Sequence, residues 1–168
     1  MLKILVPVDG SANSQHAVRH VIKEFLNNPA LEVHLLNVRA PFSRHIAQFV
    51  SKRNRESFHR DEAEKALRPI RQMLDNFSVP YTAHVEVGSK PEVIAATARR
   101  LRCDHIVMST ARKNSLTRML ETSVTNRVLE LTTVPVEVIA GDAVSKLERY
   151  GIPAGICVGL ALLLLAAD

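Results

Sequence analysis

The chain has 168 residues, of which 46% are hydrophobic and 23% charged, a balance that supports one folded domain with a core and excludes a disordered chain. Aromatics reach only 4%, with no Trp, which argues against stacking platforms for single-stranded nucleic acid, so no specific nucleic-acid partner is expected. The formal charge of +5 permits anionic partners without choosing among them.

Residues 3–8 form a short apolar run that stops at Asp9-Gly10-Ser11, which reads as a buried strand and a turn. Ala17, Val18, Val21, Ile22, Phe25 and Leu26 then share one helical stripe, with Ser11 or Ser14 placed to cap it. His16 and His20 sit one turn apart on this helix, a spacing that suits a metal. Without a further ligand the pair is expected on the exposed polar face. Residues 31–38 are a second strand, nearly continuous in apolar side chains, as expected where both sheet faces are covered.

Residues 40–60 carry Arg44, Lys52, Arg53, Arg55 and Arg60 but few apolar positions, and no element is assigned there. A helical period resumes with Ala63, Ala66, Leu67, Ile70, Met73, Leu74 and Phe77. Residues 81–87 alternate as a third strand, with His34 and His84 expected to be structural. Gly88-Ser89-Lys90-Pro91 opens a helix through Arg100, with Pro91 near the first position, where its missing N–H is harmless. Residues 105–108 are a fourth strand, 123–131 a short helix capped by Thr122 or Ser123, and 134–139 a fifth strand that Pro135 confines to an edge or to its own start.

Strands alternating with helices imply a Rossmann-like α/β fold: an open parallel five-stranded sheet with helices on both faces. An order of 3-2-1-4-5 reverses between the first and fourth strands, and ligands of such sheets bind beyond the strand ends at that reversal. Asp9 and the segment from Ser109 to Ser123 are therefore expected to face one crevice.

The segments Lys3-Ile-Leu-Val-Pro-Val-Asp-Gly-Ser11, Val33-His-Leu-Leu-Asn-Val38, Val87-Gly-Ser-Lys-Pro-Glu-Val-Ile94 with Asp104-His-Ile-Val-Met108, and Ser123-Val-Thr-Asn-Arg-Val128 with Val134-Pro-Val136 resemble the universal stress protein family over about residues 1–140. The resemblance implies dimerisation, and contacts to adenine or ribose at Asp9 and Val38 and to phosphate at Ser123. Members of that family that bind ATP carry a motif G-x2-G-x9-G followed by Ser or Thr. Here its register falls on Ser109, Arg112 and Thr122, followed by Ser123, and no glycine occurs from Ser89 to Ala140. Ser, Arg and Thr resist the positive-φ conformations from which a backbone anion nest is built, so the resemblance points to the class that lacks ATP. Arg112, Lys113 and Arg118 crowd the same segment beside Glu121; they are read as solvated charges, with direct gripping of an anion or nucleotide as the alternative.

No nucleophile elbow, phosphate loop or nucleophile–base pair is present, so a non-catalytic role is expected. Cys103 and Cys157 lie outside any CxxC or Cys/His cluster, which excludes a disulfide scaffold and a zinc module and suits a reducing compartment. No charged leader precedes the first apolar run, so a cytoplasmic location without a signal peptide is expected. Residues 141–151 read as a linker and 152–168 as an apolar tail. As a helix, residues 152–167 span only about 24 Å, against roughly 30 Å for a bilayer core, so the tail is read as membrane-associating or packed in an oligomer. The fifth strand, an unpaired edge, is the expected homodimer contact.

Overall fold

The computed structural model describes residues 2–112 and 124–143. Its elements in chain order are β1 (Lys3–Pro7), α1 (Ala12–Asn27), β2 (Glu32–Arg39), α2 (Arg44–Ala47), α3 (Lys52–Asn76), β3 (Tyr81–Val87), α4 (Lys90–Leu101), β4 (His105–Arg112), α5 (Val124–Leu131) and β5 (Val136–Ala143). The five strands form one parallel sheet, as the alternation of elements predicts, and their order is the expected β3-β2-β1-β4-β5.

Because successive strand side chains point to opposite faces, the sheet divides its apolar residues between two layers. Ile4, Val6, Val33, Leu35 and Val107 pack with Val18 and Val21 of α1 and with Leu67, Ile70 and Leu74 of α3. Leu5, Leu36, Val38, Ile106 and Met108 pack on the other face with Ile94 and Ala98 of α4 and Val128 of α5. Strand β2 is buried from Val33 through Val38, which explains its continuous apolar run. Leu26 and Phe77, assigned to helical stripes from their spacing, are instead 59% and 53% exposed: Leu26 lies in the last turn of α1 and Phe77 is the residue just after α3.

Three boundaries differ from expectation. Helix α3 begins at Lys52, where the Ser51 hydroxyl accepts from the Asn54 amide at 3.2 Å. Its first turns stand mostly in solvent, so they need no apolar period. The helix continues through Pro69, a cost of about 3 kcal/mol offset by the burial of Leu67, Ile70 and Leu74 on the same face. Strand β4 runs past Met108 to Arg112, and β5 continues through Gly141 to Ala143 instead of ending at Ile139. The two strands support each other there: Ser109 pairs with Ile139, Thr110 with Ala140 and Arg112 with Ala143. Pro135 lies just before β5, which is an edge strand. Its carbonyl accepts from the Ile106 amide at 2.9 Å.

Among the described residues no helix is long and apolar enough to cross a membrane. The apolar tail, residues 152–168, lies outside the described residues.

Candidate functional site

Strand order reverses between β1 and β4, and the turn after β1 forms one wall of the crevice that this opens. The Val8 amide donates to the Leu36 carbonyl at 2.9 Å, and Asn37 Nδ2 donates to the Val8 carbonyl at 2.7 Å. Asn37 is buried in β2, with 1% of its surface exposed, so its amide holds the end of β1 in place from the neighbouring strand. Gly10 follows with φ +81°, and a Cβ there would lie 3.0 Å from the Ala66 Cα of α3. Both the backbone conformation and the close approach of α3 require glycine.

The turn then feeds directly into a capped helix. The Ser11 hydroxyl accepts from the Ser14 amide at 3.3 Å, and the buried Ser14 hydroxyl donates to the Ser11 carbonyl at 2.8 Å. Asp9 Oδ1 accepts from the Ser11 amide at 3.0 Å. Burial opposes ionisation of Asp9, but the Ser11 hydroxyl and amide, the charge of Lys90 and the Ser14 hydroxyl outweigh it and hold the carboxyl below its ordinary value. The result is a fixed carboxylate at the mouth of the crevice.

The start of α4 supplies the facing positive charge. The Gly88 amide donates to the Arg39 carbonyl at 2.9 Å, which ties the α4 entry to the end of β2. Ser89 occupies the N-cap position, and its hydroxyl bonds to Glu92 in the first turn. That bond and Glu92's own amide keep the Glu92 carboxyl below its ordinary range against a smaller opposing effect of burial, with Arg127 of α5 adding to the lowering.

The opposite wall is built differently. Ser109 and Arg112, the positions that fall in the register of the first two motif glycines, lie within β4 and pair with β5. A register irregularity falls between Thr110 and Arg112. The glycine in this neighbourhood is Gly141 of β5, where a Cβ would press on the Asn13 side chain and sit 2.9 Å from the Thr110 carbonyl oxygen. Glycine here lets β5 lie close against β4 and the first turn of α1.

Of the six residues singled out from sequence, Asp9 lies two residues beyond β1 and Ser109 lies within β4, the neighbouring strand at the reversal. Val38 is buried at 6% exposure in the α4-side core, so it closes the floor beneath the crevice. Arg112 is placed by its backbone in β4. Thr122 and Ser123, with Lys113, Arg118 and Glu121, lie outside the described residues. Sequence reasoning missed Asn37 and Lys90. An amide interrupting the apolar run of β2 was the available signal for Asn37; nothing local marks Lys90 as a partner of Asp9.

His20, expected on an open polar face, instead meets two carboxylates, Glu24 of its own helix and Glu137 of β5. His34 and His84 are neighbours across β2 and β3: His34 Nδ1 lies 3.1 Å from His84 Nε2, and His34 Nε2 lies 2.9 Å from Glu32 Oε1. That chain of hydrogen bonds satisfies the buried His34 ring within the sheet, in keeping with a structural role.

Comparison with known proteins matches this architecture. Universal stress protein MJ0531 of Methanocaldococcus jannaschii is 30% identical over 140 residues, covering 82% of this chain and 81% of that one. A crystal structure of a universal stress protein in complex with cAMP superimposes with a TM-score of 0.64 at 17% identity, covering 82% of this chain and 96% of the other. A universal stress protein family protein from Arabidopsis thaliana with AMP bound gives 0.61 at 18% identity, covering 85% and 94%. Residues 1–140 match the family as a whole, and the chain belongs to the universal stress protein family.

Proposed function

We propose that this chain is a non-catalytic universal stress protein acting in stress response or regulation, and that its crevice does not hold ATP through a glycine nest. The observation that carries the reading is the pairing of β4 with β5 through Ser109 and Arg112. Backbone groups engaged along a strand ladder are not free to converge on a polyphosphate, and a nest needs consecutive amides turned the same way. The absence of glycine from Ser89 to Ala140 removes the residues that would relax that pairing. Asp9 is retained without a nest to complement it. Pairing of a second copy along the open edge of β5, where Val138 is 41% exposed, belongs to the same reading.

A second reading is favoured by the β1 wall. Asp9 and Lys90 present opposite charges at one crevice, and the relatives solved with cAMP and AMP carry ligands with a single phosphate. A nucleoside monophosphate asks much less of a backbone nest than ATP does, so the chain would then act as a monophosphate sensor, with Arg112 as the anion-gripping candidate.

Calorimetric titration of the full chain with ATP, AMP and cAMP, with and without magnesium, tests both. The expected result is no saturable heat with ATP and no thermal shift at millimolar ATP, where a micromolar ligand would stabilise by about 4 kcal/mol. Saturable micromolar ATP binding would overturn the first reading. Binding of AMP or cAMP while ATP stays silent would establish the second.

A further inference from the structure

On the α1 face of the sheet, a cluster that the nucleotide reading does not use joins helix α1 to the edge strand. His20 and Glu24 lie one turn apart on α1, so their side chains stack on one face. Glu137 reaches them from β5, and the three potential donor atoms all lie within 4.8 Å of one another. His20 Nε2 is 2.8 Å from Glu137 Oε1 and 3.6 Å from Glu24 Oε1. We propose that His20, Glu24 and Glu137 form a binding site for a late first-row divalent cation, with zinc as its representative, which pins β5 to α1.

Three observations support this. First, the spacing suits a metal. Zinc bonds to nitrogen and oxygen of about 2.0–2.1 Å place tetrahedral ligand atoms roughly 3.3 Å apart, a value bracketed by the two measured separations. Second, two of the three side chains carry a buried polar atom without a hydrogen bond. The side chains are 32%, 35% and 39% exposed, yet His20 Nε2 and Glu24 Oε2 are themselves closed off from solvent and make no hydrogen bond. The close approach of His20 to Glu137 is thus a contact by distance, without an aligned N–H···O bond. A proton on Nε2 can point at only one of the two carboxylates, whereas a divalent ion satisfies all three groups. Third, the ligands sit on elements already fixed against each other: Ile139 packs on the α1 side of the core, and Gly141 of β5 fits against Asn13 of α1. A preformed site costs little ordering when the ion binds.

The donor set selects the ion. An imidazole with two carboxylates favours zinc and its neighbours over magnesium and calcium, which take all-oxygen shells. Three protein ligands leave the fourth tetrahedral position to water, which the partial exposure of the cluster admits.

The test is titration of the chelator-treated full chain with zinc chloride, by calorimetry and thermal unfolding, alongside Glu137→Gln and His20→Gln. Wild type is expected to bind zinc and to unfold at a higher temperature with it; each variant should weaken binding by roughly tenfold or more, since loss of even an outer partner costs 10–100-fold. Cobalt in place of zinc should give the visible absorption of a tetrahedral site in wild type and lose it in Glu137→Gln. Glu24→Gln, which keeps the side chain's size at a partly exposed helix position, serves if either other variant fails to fold. Absence of zinc binding and of any thermal shift in wild type would overturn the proposal. So would undiminished zinc affinity in a folded variant, which would place the ion elsewhere in the chain.

Discussion

The two walls of the crevice follow opposite strategies. The β1 wall is a tight turn: Gly10 at positive φ lies against α3, Asn37 anchors the Val8 carbonyl, and Ser11 starts a capped helix that hands its amide to Asp9. The β4 wall keeps its backbone extended and paired with β5 as far as Arg112. One wall spends its glycine on shaping a turn, while the other places Gly141 on the partner strand and so prolongs a ladder. The lesson is that two strands meeting at one reversal can use their backbones in opposite ways, one closing into a tight turn and the other extending into a ladder. Ladder hydrogen bonds and an anion nest compete for the same backbone amides.

The largest effect should come from disturbing the β1 wall at its least tolerant point. Gly10→Ala places a Cβ in left-handed geometry, at about 1–2 kcal/mol, and presses it on the backbone of α3, where overpacking adds about 1 kcal/mol or more. Urea denaturation should show a loss of about 2–3 kcal/mol. A loss below about 0.5 kcal/mol would mean the turn is not held by α3, and the contrast between the walls would lose its physical basis.

The β4 wall should respond more mildly to the reverse change. Ser109→Gly with Arg112→Gly costs about 0.5–1 kcal/mol per strand glycine, seen as a lower urea midpoint. Combined with Thr122→Gly, it completes the glycines of the motif. On the proposed function, calorimetry should then detect ATP binding in the triple variant and none in the wild type. Silence from the triple variant would sharpen the comparison differently, by assigning the closed wall to β5 pairing rather than to the side chains of β4.

Much of this was legible from local pattern. The parallel sheet, the Gly10 turn, the Ser11 cap and the placement of Asp9 beyond the end of β1 follow from short-range signals: apolar runs, turn residues and alternation of elements. Three features were not legible, each for a physical reason. The first turns of α3 face water, so the apolar period that marks a helix is missing, and Ser51 as cap is the sole local sign. The continuation of β4 and β5 to Arg112 and Ala143 is a mutual effect: neither segment shows a strand pattern, and each is stabilised by pairing with the other. The convergence of His20 with Glu137 depends on how α1 lies across the edge strand, which spacing along the chain does not encode. Glu24, one turn from His20, was the half of that cluster available to a helical reading.

The smallest effect concerns charge at the β1 wall. Asp9 has its folded-state value depressed below 3.8, so the unfolded chain binds more protons there as acid is added. Its stabilisation is fully present above that ordinary value and is lost as pH falls through the lower, folded one. Asp9→Asn keeps an oxygen able to accept from the Ser11 amide and removes the titration. The variant should therefore fall behind wild type in urea midpoint near pH 7, and the gap should narrow steadily as pH is lowered below the ordinary carboxylate range. High salt divides the gap at pH 7 further. The attraction of Lys90 is screened, whereas the bonds from Ser11 and Ser14 are short-range and persist. A gap that salt abolishes would make Lys90 the dominant partner of Asp9; a gap that survives salt would assign the carboxylate to the turn itself, a fixed feature of this wall whether or not an anion enters the crevice.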